Sequence, residues 1–178
     1  VLDDVSTGQP ARSSGLYNGA ECASTAGKCA ASMAVDGLYA NTHPNEFHSD
    51  LKHDNTWWGV QLKKAGRDLN ITVVARSCCT ENNYGGQLSI WMANDWPEDN
   101  TNWNAWSGRG SAVHCTDFNV TDGAVVNVRC TRVGDATAYE YVFVRHTAAG
   151  LAKVEETGST GGPYLAIPEI VVMAERPQ

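Results

Sequence analysis

No apolar run in this chain of 178 residues approaches the roughly 20 residues that a membrane helix needs, so membrane insertion is not expected. No basic-then-apolar leader opens the sequence, which therefore reads as a mature chain. Positive charge is scarce as well. Thirteen Lys and Arg stand against 20 Asp and Glu, and the formal net charge of −7 argues against nucleic acid as a partner. Helix signals are nearly missing, because Gly, Asn or Pro interrupts each stretch that would hold a 3.6-residue apolar period. There is no internal repeat, no HExxH and no matched set of C-x-x-C pairs, which removes the usual zinc patterns. A nucleophile elbow, a Ser/His/Asp pattern and a close carboxylate pair are equally absent, and no enzyme is expected. Hydrophobic residues make up 42% of the chain, enough for one globular domain over 1–178.

What the chain does contain points outside the cytosol. Its six cysteines fall into three local groups: Cys22 with Cys29, the adjacent Cys78 and Cys79, and Cys115 with Cys130. Local pairing is the simplest of the about 15 connectivities that six cysteines allow. Pairing of Cys78 and Cys79 with other cysteines, and buried free thiols, stay open beside it. Two acceptor sequons, Asn70-Ile71-Thr72 and Asn119-Val120-Thr121, agree with a secretory route, so we expect a secreted or cell-surface glycoprotein.

Strand signals recur along the chain. Trp57 to Leu62 and Leu69 to Val73 follow one another across a Gly-Arg turn, the second with clean alternation that turns Asn70 and Thr72 to solvent. Residues 87–93, 124–130, 139–145 and 164–174 add further strands. Short strands between turn-rich loops imply an all-β fold, an antiparallel β-sandwich or jelly roll with long loops. Three loops stand out, 36–56, 94–112 and 147–163, and long loops in a compact domain tend to carry function. Trp96, Trp103 and Trp106 sit among Asn, Asp and Ser in the second loop, where they serve either as contacts to a protein partner or as cover for the sheet. Trp57 and Trp58 open a strand and read as core on one side. His43, His48 and His53 recur every five residues, a spacing that neither a helix nor a strand gathers on one face.

Ala34-Val35-Asp36-Gly37, the Trp57-Trp58 pair leading into Val60-Gln61-Leu62, the strand Ile71 to Ala75 and Arg76-Ser77-Cys78-Cys79 occur in this order. Ser13-Ser14 near the start and Ile167-Pro168-Glu169-Ile170-Val171-Val172 near the end complete the pattern. Together they resemble an F-type lectin, or fucolectin, domain within the discoidin-like superfamily of galactose-binding jelly rolls, with 94–112 as an inserted loop. The adjacent cysteines are the feature particular to the lectins.

The resemblance implies a non-catalytic, calcium-stabilised domain that binds fucose or a related terminal sugar, on glycans or glycoproteins, at one end of the sandwich. The family places a His, then an Arg, the two cysteines and a second basic residue around the sugar. His48, Arg76, Cys78 and Cys79 take those places, and Asn82 stands where the second basic residue is found. Tyr84 adds a flat apolar surface for the C–H face of a sugar. Arg and neutral His suit the task, because a guanidinium donates in a rigid fork and an imidazole both donates and accepts. Hard oxygen ligands for calcium are offered by Asp36, Asn41 and Asn45, by the backbone at Leu38, and by Glu169, which closes the cage in the resembling proteins. The alternative is a structural or adhesion module whose sugar site has degenerated and whose tryptophan loop meets a protein, a homo-oligomer included.

Overall fold

The structure is a computed structural model that describes residues 1–16, 22, 27–39, 45–49, 56–77, 86–98, 102–131, 138–156 and 164–175. Period-two burial organises it. Two antiparallel sheets face each other. The five-stranded sheet runs in the order β2 (Ala11–Ser13), β4 (Trp57–Gly66), β9 (Tyr139–His146), β6 (Gly86–Ala93), β7 (Ala112–Val120). The four-stranded sheet runs β1 (Leu2–Asp4), β11 (Glu169–Glu175), β5 (Asp68–Val74), β8 (Val125–Thr131). A short pair, β3 (Phe47–His48) with β10 (Ala166–Ile167), forms a third ladder. This is an antiparallel jelly-roll sandwich, as the strand pattern predicts.

The main core lies between the sheets. Trp58 and Val60 of β4, Ile71 and Val73 of β5, Ile90 and Met92 of β6, Val142 and Val144 of β9, and Ile170 and Val172 of β11 fill it. Burying each such aliphatic side chain is worth about 1.5–3 kcal/mol, which drives the two sheets together. The Trp58 indole satisfies its one donor by bonding the Ala31 carbonyl at 2.8 Å.

Alternation sends the neighbouring residues to the far side of the five-stranded sheet. Trp57, Ala93, Tyr141 and Phe143 would leave that face apolar and wet, so the chain covers it. The cover is α1 (Trp103–Ser107), whose Asn102 side chain caps its first turn by accepting from the Ala105 amide at 3.0 Å. Trp103 and Trp106, three residues apart on one helical face, pack edge-on against each other, Trp103 edge-on and Trp106 tilted against Phe143. The expectation that 94–112 offers its tryptophans to a partner is corrected in this respect: Trp103 is 0% and Trp106 4% exposed. Trp96 is partly buried beside Tyr141 and Phe143, with the Arg12 guanidinium 5.0 Å from its ring.

The loop expected over 147–163 contains a second helix, α2 (Ala148–Glu156). Thr147 caps it, its hydroxyl accepting from the Gly150 amide at 3.0 Å while it donates to Gln87. Gly150 lies so close to β6 that a Cβ there would sit 2.3 Å from the Gln87 carbonyl oxygen. No helix among the described residues is long and apolar enough to cross a membrane.

Candidate functional site

The short ladder of β3 and β10 builds one rim of the sandwich. His48 pairs with Ala166, the Ser49 amide donates to the Leu165 carbonyl at 2.9 Å, and the Leu165 amide donates to the Ser49 hydroxyl at 2.9 Å. The His48 amide bonds the Cys29 carbonyl at 3.2 Å, so the Cys22–Cys29 disulfide loop braces the same segment. The His48 ring is 2% exposed. Its Nδ1 lies 2.8 Å from the Ser49 carbonyl; a carbonyl only accepts, so that nitrogen carries the proton. The Tyr164 ring packs against it at 4.9 Å between centroids.

Arg76 follows β5, whose end Val74 pairs with Glu169 at the start of β11. Its Nε stands 3.2 Å from Glu46 Oε1, with the two side chains 9% and 0% exposed. Glu46 precedes His48 by two residues. Arg76 and His48 therefore belong to the same end of the sandwich, joined through the 46–48 segment. Burial pushes the Glu46 carboxyl up to about 7, and the Arg76 charge opposes that rise. Sequence patterns gave no hint of Glu46, because a lone Glu before an aromatic residue is unremarkable until Arg76 is folded onto it. Cys78, Cys79, Asn82 and Tyr84, the rest of the expected sugar contacts, lie outside the described residues.

The expected calcium ligands divide. Asp36 follows a 3-10 turn over Ala31–Val35 and accepts from the Leu38 amide at 2.8 Å, closing a turn at Gly37 with φ +79. Glu169 is 0% exposed, and neither carboxylate oxygen has a well-formed hydrogen bond; the Gly37 amide is the donor turned toward it. Burial pushes this carboxyl up to about 8, and the nearby Asp36 and Asp4 carboxylates add to the rise while the Gly37 amide opposes it. A buried carboxylate facing a second one fits a hard cation. Asp4 is otherwise engaged, accepting from Ser6 and Thr7. Asn45 turns its side-chain oxygen to the Lys28 ammonium. Leu38 is 63% exposed, and Asn41, like His43 and His53, lies outside the described residues. No group of three or more His, Cys, Asp or Glu side chains gathers around a metal position among the described residues.

Both outer cysteine pairs form as expected, Cys22 with Cys29 and Cys115 with Cys130. Asn119 is exposed on the edge strand β7. Asn70 is half-buried on β5, and Thr72 beside it donates to Asn127.

With this geometry in hand, solved structures identify the fold. A fucolectin from striped bass (Morone saxatilis) serum aligns over 99% of this chain with a TM-score of 0.67 and 16% identity, and this chain spans about half, 48%, of its length. A family 32 carbohydrate-binding module from C. perfringens, solved in complex with galactose, aligns over 97% of this chain and 99% of its own, with a TM-score of 0.61 and 15% identity. A Streptococcus pneumoniae fucose-binding module aligns over 98% of this chain and all of its own, with a TM-score of 0.60 and 12% identity. The chain thus shares the jelly-roll fold of these proteins. No protein-family model matches the sequence. A comparison with curated proteins finds no match.

Proposed function

We propose that this protein is a non-catalytic lectin of the extracellular space, one jelly-roll domain that binds a terminal sugar of the fucose type on glycans or glycoproteins. What supports this reading is that Arg76 pairs with Glu46, two residues before His48 on β3, so that both expected sugar ligands attach to one short segment beside β10. Such fixed groups suit sugar hydroxyls, since each hydrogen bond nets only about 0.5–1.5 kcal/mol and any freedom lost on binding erodes it. The fold supports the reading, because proteins of this shape include binders of fucose and of galactose. Two disulfides fit an oxidising compartment, and glycans on Asn70 and Asn119 would accord with secretion.

Calcium belongs to the same proposal. Asp36 and Glu169 would hold the ion and tie the 36–38 turn to β11, the cation favouring the ionised form of a Glu169 carboxyl that burial otherwise holds mainly neutral. Its role would be structural.

A glycan array in calcium, repeated in chelator, tests the function. Binding to terminal fucose or a close relative supports the lectin, and a flat response refutes it. One observation favours the second reading, a structural or adhesion module: Arg76 and His48 are almost wholly buried, so they offer a ligand little surface. In that case the array stays flat, and exposed edges such as that of Trp96 would meet a protein.

A further inference from the structure

A cavity of about 450 Å³ opens on the outer face of the five-stranded sheet, between α1, β7 and the end of β9. It is built by strand register. Asp117, Ser89 and Arg145 form one row across β7, β6 and β9, and His114, Trp91 and Phe143 form the next. His114 and Asp117 are three residues apart and would face opposite sides of a regular strand. A bulge at Cys115 shifts the register there, and His114 Nε2 meets Asp117 Oδ1 at 2.8 Å on the same face. The Cys115–Cys130 disulfide ties the bulged residue to β8 of the opposite sheet, which fixes the shift.

The remaining groups are also held. Arg145 stacks over Trp103 at 5.3 Å, its Nε donates to the His146 carbonyl at 3.3 Å and its Nη1 to Asn104 Oδ1 at 3.3 Å. Trp91, half-buried, anchors its indole N–H on the Ser89 hydroxyl at 2.9 Å and packs edge-on against His114. The groove thus combines an aromatic side chain with a rigid guanidinium, an imidazole–carboxylate pair and an exposed amide. Neither a deep apolar pocket nor a field of one sign is present.

From this we propose a second ligand site, distinct from the His48–Arg76 rim, that takes a neutral saccharide of about two rings. The volume falls within the range of small-ligand sites, about 300–1,000 Å³. One cation beside one anion suits an uncharged ligand rich in hydroxyls, which needs fixed donors and acceptors together. A carboxylated sugar would meet Asp117. The aromatic edge accepts the C–H face of a pyranose ring. The rim reading shares the ligand class but none of these residues.

The test is an NMR titration of the labelled intact protein with lactose, maltose and chitobiose, and with sialyllactose as the anionic counterpart. At least one neutral disaccharide should shift the signals of Trp91, His114, Asp117 and Arg145, and sialyllactose, whose carboxylate meets one cation and one anion there, should bind those residues no more tightly than lactose. Asp117→Asn and Asn104→Ala, both at exposed side chains, should each weaken the groove response about tenfold while leaving Tm unchanged. Groove signals unmoved by all three disaccharides, or unaffected by both substitutions, overturn the proposal. Shifts confined to 46–49 and 76 overturn the groove and leave the rim standing. Shifts confined to the groove support the proposal, and the rim, read as a fucose-type site, then stands or falls on the glycan array.

Discussion

Arg76 and Glu46 face each other at 3.2 Å in the interior of the rim, with 9% and 0% of their side chains exposed. The pair changes what Arg76 is for. The sequence offers Arg76 only as a donor to a sugar; the structure makes it the counterion of a buried carboxylate. Arg76→Ala should therefore cost about 3–5 kcal/mol, because the buried Glu46 carboxyl, stripped of its counterion, must either stay charged without a partner or take up a proton that the unfolded chain would not hold. The double variant Glu46→Gln/Arg76→Ala should lose clearly less than the single one. Urea unfolding of the two checks this, and equal losses would mean that the ion pair is not what Arg76 contributes.

Calcium should stabilise the fold through Glu169. Added at about 100 times its dissociation constant, it should raise the unfolding free energy by about 2.7 kcal/mol. Glu169→Gln should abolish that gain without lowering the stability of the metal-free protein, since the amide replaces a carboxyl that burial already holds mainly neutral. Thermal melts in calcium and in chelator read both effects. A melt that ignores calcium in the native protein removes the ion from the account.

His146 sets an acid limit on stability. It is fully buried, its Nε2 lies 3.2 Å from the Tyr164 carbonyl, and burial, with Arg145 beside it, lowers its ring to about 4 while the Tyr164 bond opposes the shift. An unfolded chain protonates the same ring near 6.5. The folded state then binds fewer protons between those values, so stability is full above pH 6.5 and falls as the pH drops toward 4. The loss should reach on the order of 3 kcal/mol by pH 4. His146→Gln should flatten the decline between pH 6.5 and 4, as measured by urea midpoints across that window.

How much of this could be read from the sequence depended on whether local pattern and fold agreed. Leu69 to Val73 alternates cleanly and is a strand, and the pairing of Cys22 with Cys29 follows from proximity. Strand β7 escaped notice for a physical reason. Its inward set is Val113 up to the bulge at Cys115 but Phe118 and Val120 after it, so no single period of two runs through. The five-residue α1 is too short to show a helical period, and Gly150 masks α2, though Trp103 and Trp106 three apart were a legible hint. The Glu46–Arg76 contact joins positions far apart in the chain, which no local pattern records.

Gly150 tests how α2 is seated. Because a Cβ there would fall 2.3 Å from the Gln87 carbonyl oxygen, a strand backbone atom that cannot yield, Gly150→Ala should push the helix off β6. The expected cost is about 1–3 kcal/mol, despite the better helix propensity of Ala. Thr147→Ala, which removes the cap without adding bulk, should cost about 1 kcal/mol. Chemical denaturation ranks the two, and a stabilised Gly150→Ala would show that α2 has room to move.

The Cys115–Cys130 disulfide should do more than restrict the unfolded chain. Closing a loop with a sequence separation of 15 accounts for about 3 kcal/mol through the unfolded state. The bond also pins the bulge that brings His114 and Asp117 to one face. Replacing both cysteines by Ala should therefore do two things that can be separated: lower the unfolding free energy by about 3 kcal/mol, and speed amide exchange over 113–118 beyond what global destabilisation predicts. The double variant Cys22→Ala/Cys29→Ala serves as the control, since its loop braces the His48 segment and should leave exchange in β7 at the rate set by global stability. Uniform acceleration across β5 and β7 in the Cys115/Cys130 variant would show that strand pairing with β6, rather than the disulfide, holds the bulge in place.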